Sequence, residues 1–469
     1  MPIISGLTST NQLEGFFSLN SRRKVFYEFP NGAAPLIGLL SMLDTEATDK
    51  PIFGWWEERY ITRLTKTAGI SAGNGPFSAT GSNTPLTAAG FNITAGQVIR
   101  VLVTDTSVLR VTNTLWLKGI PNGATTVTDI KGVVTAIIDA THFEFRVLTA
   151  FTGIKNGDGT SATVNCTALP VIVIGTANEE GSSSVGNGVM VVPINPINFT
   201  QIFRTPFGFP RTALKVGLKY DSSGPYKTKA KKNAIDHMVD LEFSFLWGDK
   251  NEQIVTNNEG EQVPMKFTGG VLWFLEQWEL GASAVDVNYP AVNLSATPVD
   301  SDEDKRIINN VSGVMTPSLY NDLMRRLFRV TSNKSFEKIC LCGDQHLGVI
   351  NEMLKNQTVL QQGTNITGGT WGPTWTTVRT IYGAVHYKTH PLFTRYGIYG
   401  AGFQYDGLYL DMGSLKYKYL SDSDTTLLKM RQAPDADRRK DEWLTEAGLE
   451  VNLPESHMYI KNLQRAQVG

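Results

Sequence analysis

The residues with the most chemical potential in this 469-residue chain are a few histidines, cysteines and carboxylates, and their spacing is poor for catalysis. His386 and His390 stand four apart in the strand-like TVRTIYGAVHYKTHPLF, where such residues share a face about 13 Å apart, too far to hold one metal. Cys342 and His346 have the types of a nucleophile and a base, but Cys342 lies in the apolar strand KICLCG and reads as a small core residue. The Cys-x-Cys of that strand is expected to place Cys340 and Cys342 on opposite faces, and with Cys166 the three thiols are too few for a disulfide framework or a four-ligand zinc site. DSDEDKR at 300–306 fails as a calcium loop, because its sixth position is Lys305 instead of glycine and its twelfth is Val311 instead of glutamate. It reads as a solvated turn. Glu57-Glu58 and Glu179-Glu180 are adjacent, so in strands they face apart and make poor acid/base partners. No phosphate-cradling Gly-rich loop, Gly-x-Ser-x-Gly elbow or His-Glu-x-x-His helix is present. The expectation is no catalytic residues, no metal and no cofactor.

Composition sets wider bounds. The chain is long enough for two to four structural units. Its net charge of −1, with 19% charged residues, argues against a coat of nucleic acid. MPIISGLTSTNQLEGFF has no basic segment followed by an apolar one, and no apolar run is long enough for a bilayer. A soluble chain made in the cytoplasm is expected.

The element around which the rest is organised is PYKTKAKKNAIDHMVDLEFSFLWG, predicted as one helix over 225–248. Pro225 suits a first helical position, and Gly248 suits the stop as a left-handed residue. Ala230, Ala234, Met238, Leu241 and Phe245 fall on one face. Lys227, Lys229, Lys231 and Lys232 crowd the first turns, where the helix dipole disfavours cations. They read as a solvated face or as residues that meet something anionic.

Residues 1–50, with a basic knot at Arg22, Arg23 and Lys24, read as an arm. IFGWWEERYITRLTK after Pro51 is strand-like. Trp55 and Trp56 point to opposite faces there, one of them buried against a neighbour in this chain or another. ISAGNGPFSATGSNTP and GTANEEGSSSVGNG have linker composition and bracket a run of short β-branched segments suited to a small barrel or sandwich. Within it, GVVTAII-DAT-HFEFRVL reads as a hairpin. Arms near 51–66 and 189–206 then form a two-stranded excursion interrupted by this β unit. Gly269-Gly270 mark a helix entrance, and residues 313–432 form an α/β unit. There Thr316 caps a helix begun by Pro317, EKICLCG is a buried strand, and Asp344 caps a second helix. The tail returns to strand character in WLTEAGLEVNLPESHMYIKNL. The fold class is α+β.

FTQIFRTPF, KKNAIDHMVDLEFSFLWG with TGGVLWFLEQW, KYKYLSDSDT, and DRRKDEWLTEAGLEVNLPESHMYIKNL resemble segments of the major capsid proteins of tailed bacteriophages with the Hong Kong 97-type fold. The resemblance covers nearly the whole chain and points to the subfamily similar to the phage SU-ten major capsid protein. It implies an N-terminal arm (1–50), an E-loop with outgoing (51–85) and returning (178–209) strands, a P-domain (210–312) holding the spine helix, an A-domain (313–432), and closing P-domain strands (433–469). The span 86–177 departs from the family, whose simple E-loop is a bare ribbon, and is expected as an inserted all-β domain.

The implied function is a virion structural protein, made in the host cytoplasm, that self-assembles as pentamers and hexamers into an icosahedral head around double-stranded DNA. Implied partners are other copies of itself, a separate scaffolding protein, a portal, a cement protein and the packaged DNA bound non-specifically, with no membrane. Trp55, Trp56 and Arg59 are the expected inter-subunit contacts of the E-loop, Arg22, Arg23 and Lys24 those of the arm. Lys227, Lys229, Lys231 and Lys232 are expected toward the lumen or a subunit seam. The rival reading is a β-rich adhesin or fibre protein with a carbohydrate-binding insert, which leaves the spine helix unexplained. A hydrolase is a third, weaker rival.

Overall fold

The computed structural model describes residues 45–58, 63–68, 77–79, 91–121, 127–154, 169–182, 193–215, 225–280, 305–309, 315–330, 337–355, 376–393 and 403–463. The chain divides into two compact units, one of residues 1–55, 196–292 and 298–469, the other of residues 56–195 and 293–297. Each has its own apolar core.

In the larger unit the spine helix runs Pro225–Trp247, one residue short of its expected end. Its buried face differs from the expected one. Leu241 and Phe245 are buried as predicted, but the N-terminal half turns Asn233 and His237 inward, while Ala230, Ala234 and Met238 are only half-buried. The polar face is tolerated because His237 is matched on both nitrogens, Nδ1 to Thr205 Oγ1 at 2.9 Å and Nε2 to Thr445 Oγ1 at 2.8 Å. Apolar periodicity cannot reveal such a face.

Gly248 ends the helix for a reason other than handedness, since it is absent from the positive-φ glycines. A Cβ there would lie 2.4 Å from the Ser244 carbonyl oxygen and 2.7 Å from that of Thr268. The Gly270 amide donates to the Gly248 carbonyl at 2.7 Å, so the two glycines let the backbones of successive helices touch. The helix that follows, Val271–Leu280, buries Trp273, Phe274 and Leu275.

The spine packs on a five-stranded sheet. Its long strand Arg438–Val451 pairs antiparallel with Gln201–Pro210, Leu415–Leu420 and Thr426–Leu428, and Thr45–Thr48 adds parallel to Leu415–Leu420. Leu415, Tyr417, Ala447, Leu449 and Val451 meet Leu241, Phe245 and Phe274 in one core. Burying each of the leucines, phenylalanines and Val451 among them contributes about 1.5–3 kcal/mol.

A six-stranded sheet takes the order Ile307–Asn309, Met458–Lys461, Gly407–Leu410, Glu337–Cys342, Ala384–Thr389, Thr376–Arg379. The helices Pro317–Leu327 and Asp344–Lys355 cover its second core through Leu323, Met324, Leu327, Val349 and Ile350. Thr316 caps the first of them, its hydroxyl accepting from the Leu319 amide at 3.2 Å. Cys340 and Cys342 do not face apart: the side-chain period of a strand is two, so both enter this core. The sheets also exchange strands across the expected domain borders. Leu415–Leu420 and Thr426–Leu428 belong to the five-stranded sheet, while Met458–Lys461 from the tail sits inside the six-stranded one. Arg306 is buried and donates from Nη1 to the Arg326 carbonyl, so at least the end of the expected solvated turn is not solvated.

The smaller unit holds a sheet of Leu64–Lys66, Pro170–Thr176, Asn113–Pro121, Val127–Ile137, His142–Val147, Val98–Leu102 and Phe77–Ala79, in that order and antiparallel throughout. The ladder closes on itself. Thr67 bridges Val103, the Thr104 amide donates to Lys66 O, and the Ala68 amide donates to Leu102 O, joining the first strand of the order to the sixth. Alternate residues point inward: Ile99, Val101, Leu115, Leu117, Phe143, Phe145 and Val147 fill the barrel. The DAT break is the expected hairpin, with Asp139 Oδ1 accepting from the Thr141 and His142 amides at 2.7 Å each. The barrel begins earlier in the chain than expected, because Leu64–Lys66 pairs with Pro170–Ile172. The β-branched segment VLRVT at 108–112 is a turn, and the strand lies after it at Asn113–Pro121.

Candidate assembly surface

Where the excursion leaves the larger unit, Ile52–Gly54 pairs antiparallel with Ile197–Phe199, and the Trp55 amide donates to Pro196 O at 3.1 Å. Further out, Glu57 bridges Ile194. The arms therefore pair at their base, as the excursion requires. Asn198 locks that base from inside. Its Nδ2 donates to Leu449 O at 2.7 Å, Gly269 O at 3.0 Å and Thr268 Oγ1 at 3.2 Å, and its Oδ1 accepts from the Gly269 and Phe199 amides, both at 2.8 Å. One fully buried amide thus ties the returning strand of the ribbon to the long strand and to the helix entrance. Sequence reasoning missed it; the only signal was the second of two asparagines set among the apolar residues of PINPINF.

The two tryptophans separate as strand alternation demands. Trp55 is buried in its own subunit, its ring 5.7 Å from Phe274 and 6.4 Å from Phe53. Its side chain is occupied there and is not offered to a neighbour. Trp56 is 73% exposed, an unusual place for so large an apolar group. Arg59 and the arm residues Arg22, Arg23 and Lys24 lie outside the described residues.

Lys227, Lys229 and Lys231 are exposed and Lys232 is half-buried, on a helix whose first turn holds no acid. The same helix end is anchored from below. The Tyr226 hydroxyl donates to Asp441 Oδ2, Arg439 Nη2 donates to that hydroxyl at 3.1 Å, and the guanidinium lies 4.2 Å from the ring centre. Burial raises the Tyr226 pKa, helped by the Asp441 carboxylate.

The last residues of the expected arm join their own subunit. Glu46, in the strand Thr45–Thr48, pairs with Lys418, which also meets Glu450 at 3.1 Å. The hydrogen bond from Lys418 lowers the Glu46 pKa.

The histidines with apparent chemical spacing are structural. His346 sets Nδ1 3.1 Å from Tyr405 O and Nε2 3.1 Å from the Tyr409 hydroxyl, and burial pushes its pKa down to about 4. Cys342 is buried in the strand, as expected. His386 meets Thr377 Oγ1 at 2.9 Å, whereas His390 is buried against Glu242. Among the described residues no group of three or more His, Cys, Asp or Glu could hold a metal, and no helix is long and apolar enough to cross a membrane.

The family model of the SU10 major capsid protein matches residues 10–464. The chain belongs to the SU10 major capsid protein family. Similar solved structures include the capsid asymmetric unit of cyanophage A-1(L), at 11% identity and TM-score 0.37 over 62% of this chain and 85% of that one. Mycobacterium phage Adephagia is similar at 7% identity and TM-score 0.38, over 95% and 92% of the two chains. The satellite phage P4 procapsid, which includes the size determination protein Sid, is similar at 11% identity and TM-score 0.34, over 63% and 80%. No curated protein matches. As a major capsid protein, the chain is a virion structural protein that self-associates into the head shell.

Proposed function

We propose that this capsid protein builds its shell as pentamers and hexamers, and that the excursion beyond the Asn198 lock is the lever that reaches a neighbouring subunit. The observation that carries the reading is the opposite fate of two adjacent tryptophans. Trp55 fixes the ribbon base to its own core, while Trp56 presents an exposed ring just beyond it. Burying such a ring against a second copy, with strand hydrogen bonds alongside, is how an extended segment adds to a partner. Repetition in every subunit sums modest contacts over a closed shell.

On this reading Arg59 extends the same contact, and Arg22, Arg23 and Lys24 lie along another subunit. The basic start of the spine helix faces the lumen or a seam between subunits. The barrel is an insert in the E-loop, outside the shell, where it has room and could meet other barrels or a cement protein. A separate scaffolding protein, a portal and double-stranded DNA are the further partners of such a shell. Its work is architectural, with no catalytic step, cofactor or metal.

Negative-stain imaging of the purified chain, expressed alone and with its scaffolding partner, tests the reading. Rings or shells are expected. Elongated trimers would favour the fibre alternative, and dispersed monomers under both conditions would contradict self-assembly.

A further inference from the structure

We infer that neighbouring copies of this chain dock head to tail through charge, the acidic hairpin that follows the spine helix in one copy lying on the basic first turns of that helix in the next. This rests on the reading that copies assemble into rings.

The basic partner is the start of the helix. Lys227, Lys229 and Lys231 are exposed within five residues, and among the described residues none of the three has an ion-pair partner. The helix N-terminus already carries partial positive charge, so these lysines are at their most favourable when an anion approaches. An outside carboxylate supplies what the first turn lacks.

The acidic partner is the hairpin of Asn251–Thr256 and Gln262–Phe267. It is a two-stranded sheet by itself, and such ribbons are marginal without cover. One of its faces exposes an apolar pair, Ile254, 71% exposed, opposite the exposed Pro264, between the polar pairs Glu252 with Lys266 and Thr256 with Gln262. Its turn carries Glu259 and Glu261 around Gly260, whose φ of +85° makes the tight reversal. The hairpin's two basic neighbours are spent at its root. Lys250 and Lys266 lie 5.3 and 4.9 Å from the Phe199 ring centre, and Lys266 also pairs with Glu252. The tip is therefore acidic, with no basic partner among the described residues, and beside an exposed apolar pair.

The two patches sit at opposite ends of one rod. The hairpin starts four residues after Trp247, and the 23-residue helix is about 35 Å long, so acid and base within one copy are too far apart to neutralise each other. Complementary patches displaced along one element suit a heterologous contact, which makes rings when its rotation closes. A second copy fits better than nucleic acid, because only it explains the lysines, the glutamates and Ile254 together.

Charge reversal tests this on the full chain. The helix variant carries Lys227→Glu, Lys229→Glu and Lys231→Glu; the hairpin variant carries Glu259→Lys and Glu261→Lys; a third chain carries all five. All five positions are exposed, so the monomer melting temperature serves as the check that each variant folds. Each single-sided variant should lower ring or shell yield by about tenfold at low salt, and the five-fold swap should recover most of it, as complementary pairs do. The wild-type yield should also fall as salt rises to about 1 M, where the screening length is only about 3 Å. Normal assembly of either single-sided variant would overturn the contact. So would a helix variant that assembles normally but retains less DNA, which would place the lysines toward the lumen, or a swapped chain that stops at a closed dimer. If the unmodified chain forms no rings or shells, the shell reading itself fails, and this contact with it.

Discussion

His390 Nε2 lies 2.7 Å from Glu242 Oε1, with both side chains fully buried. The pair joins the spine helix to the end of the strand Ala384–Thr389, and the ring is held from the other side where the Leu392 amide donates to Nδ1 at 3.0 Å. It is a pin between the helix and the α/β sheet. Removing one member leaves the other polar and buried, at a cost of about 3–5 kcal/mol. His390→Ala should lower unfolding stability by that order in urea titration, while Glu242→Leu with His390→Phe recovers much of it. A single variant as stable as the parent would show that the contact does not hold the elements together.

Trp55 and Trp56 should part company when changed singly. Trp55→Ala empties a core position against Phe274 and should cost about 3–5 kcal/mol of monomer stability. Trp56→Ala should leave monomer melting unchanged and reduce assembly. Equal effects of the two on melting, with none on assembly, would refute the division of labour.

Acid should loosen the larger unit. Burial holds His346 down at about 4 and His237 and His457 below the ordinary histidine range. The unfolded chain therefore binds more protons than the folded one once pH drops below about 6.5. The stability from these neutral rings is complete above that pH and is lost as pH falls toward 4. For His346 alone the loss is about 3 kcal/mol by pH 4. Melting temperature measured from pH 7.5 to 4.5 should fall, and His346→Gln should flatten part of the slope. A flat profile for the parent would contradict neutral burial.

Gly248→Ala should destabilise the chain although it is a conservative change in a helix end. The added methyl would enter the space of the Ser244 and Thr268 carbonyls, which belong to backbone and cannot swing away. A drop in melting temperature of several degrees is expected; an unchanged value would mean that the two backbones separate at little cost.

The sequence disclosed what periodicity and punctuation encode. Pro225, Thr316 with Pro317, and Gly269-Gly270 marked helix entrances that the fold uses, and the DAT break marked a true hairpin. Polar burial stayed hidden. Asn198, His237 and the pair of Glu242 with His390 look like surface residues in sequence, because the partners that pin them across the fold lie 32 to 251 positions away. The hairpin after the spine was missed for another reason: Pro264 lies within its second strand, and its exposed apolar residues Ile254 and Met265 fall on opposite faces. The barrel's composition was legible, but not its closure, since Thr67 and Val103 meet only when the register of every strand is known.

Closure also decides where the barrel ends. A cut at residues 86–177 would leave Leu64–Lys66 without its partner strand, so the removable piece runs from about residue 59 to 192, between the paired Glu57 and Ile194. A chain shortened there and joined by a Gly/Ser turn should still fold and give shells, of lower thermal stability. A shortened chain that cannot fold as a monomer would make the barrel part of the core.

The most direct measurement is a cryo-electron microscopy reconstruction of particles assembled from the intact chain. Rings of five and six copies closed into a shell are expected, with Trp56 buried against a neighbouring copy and the barrel on the outer surface. Closed shells in which Trp56 remains in solvent, or an assembly built as elongated trimers, would contradict this.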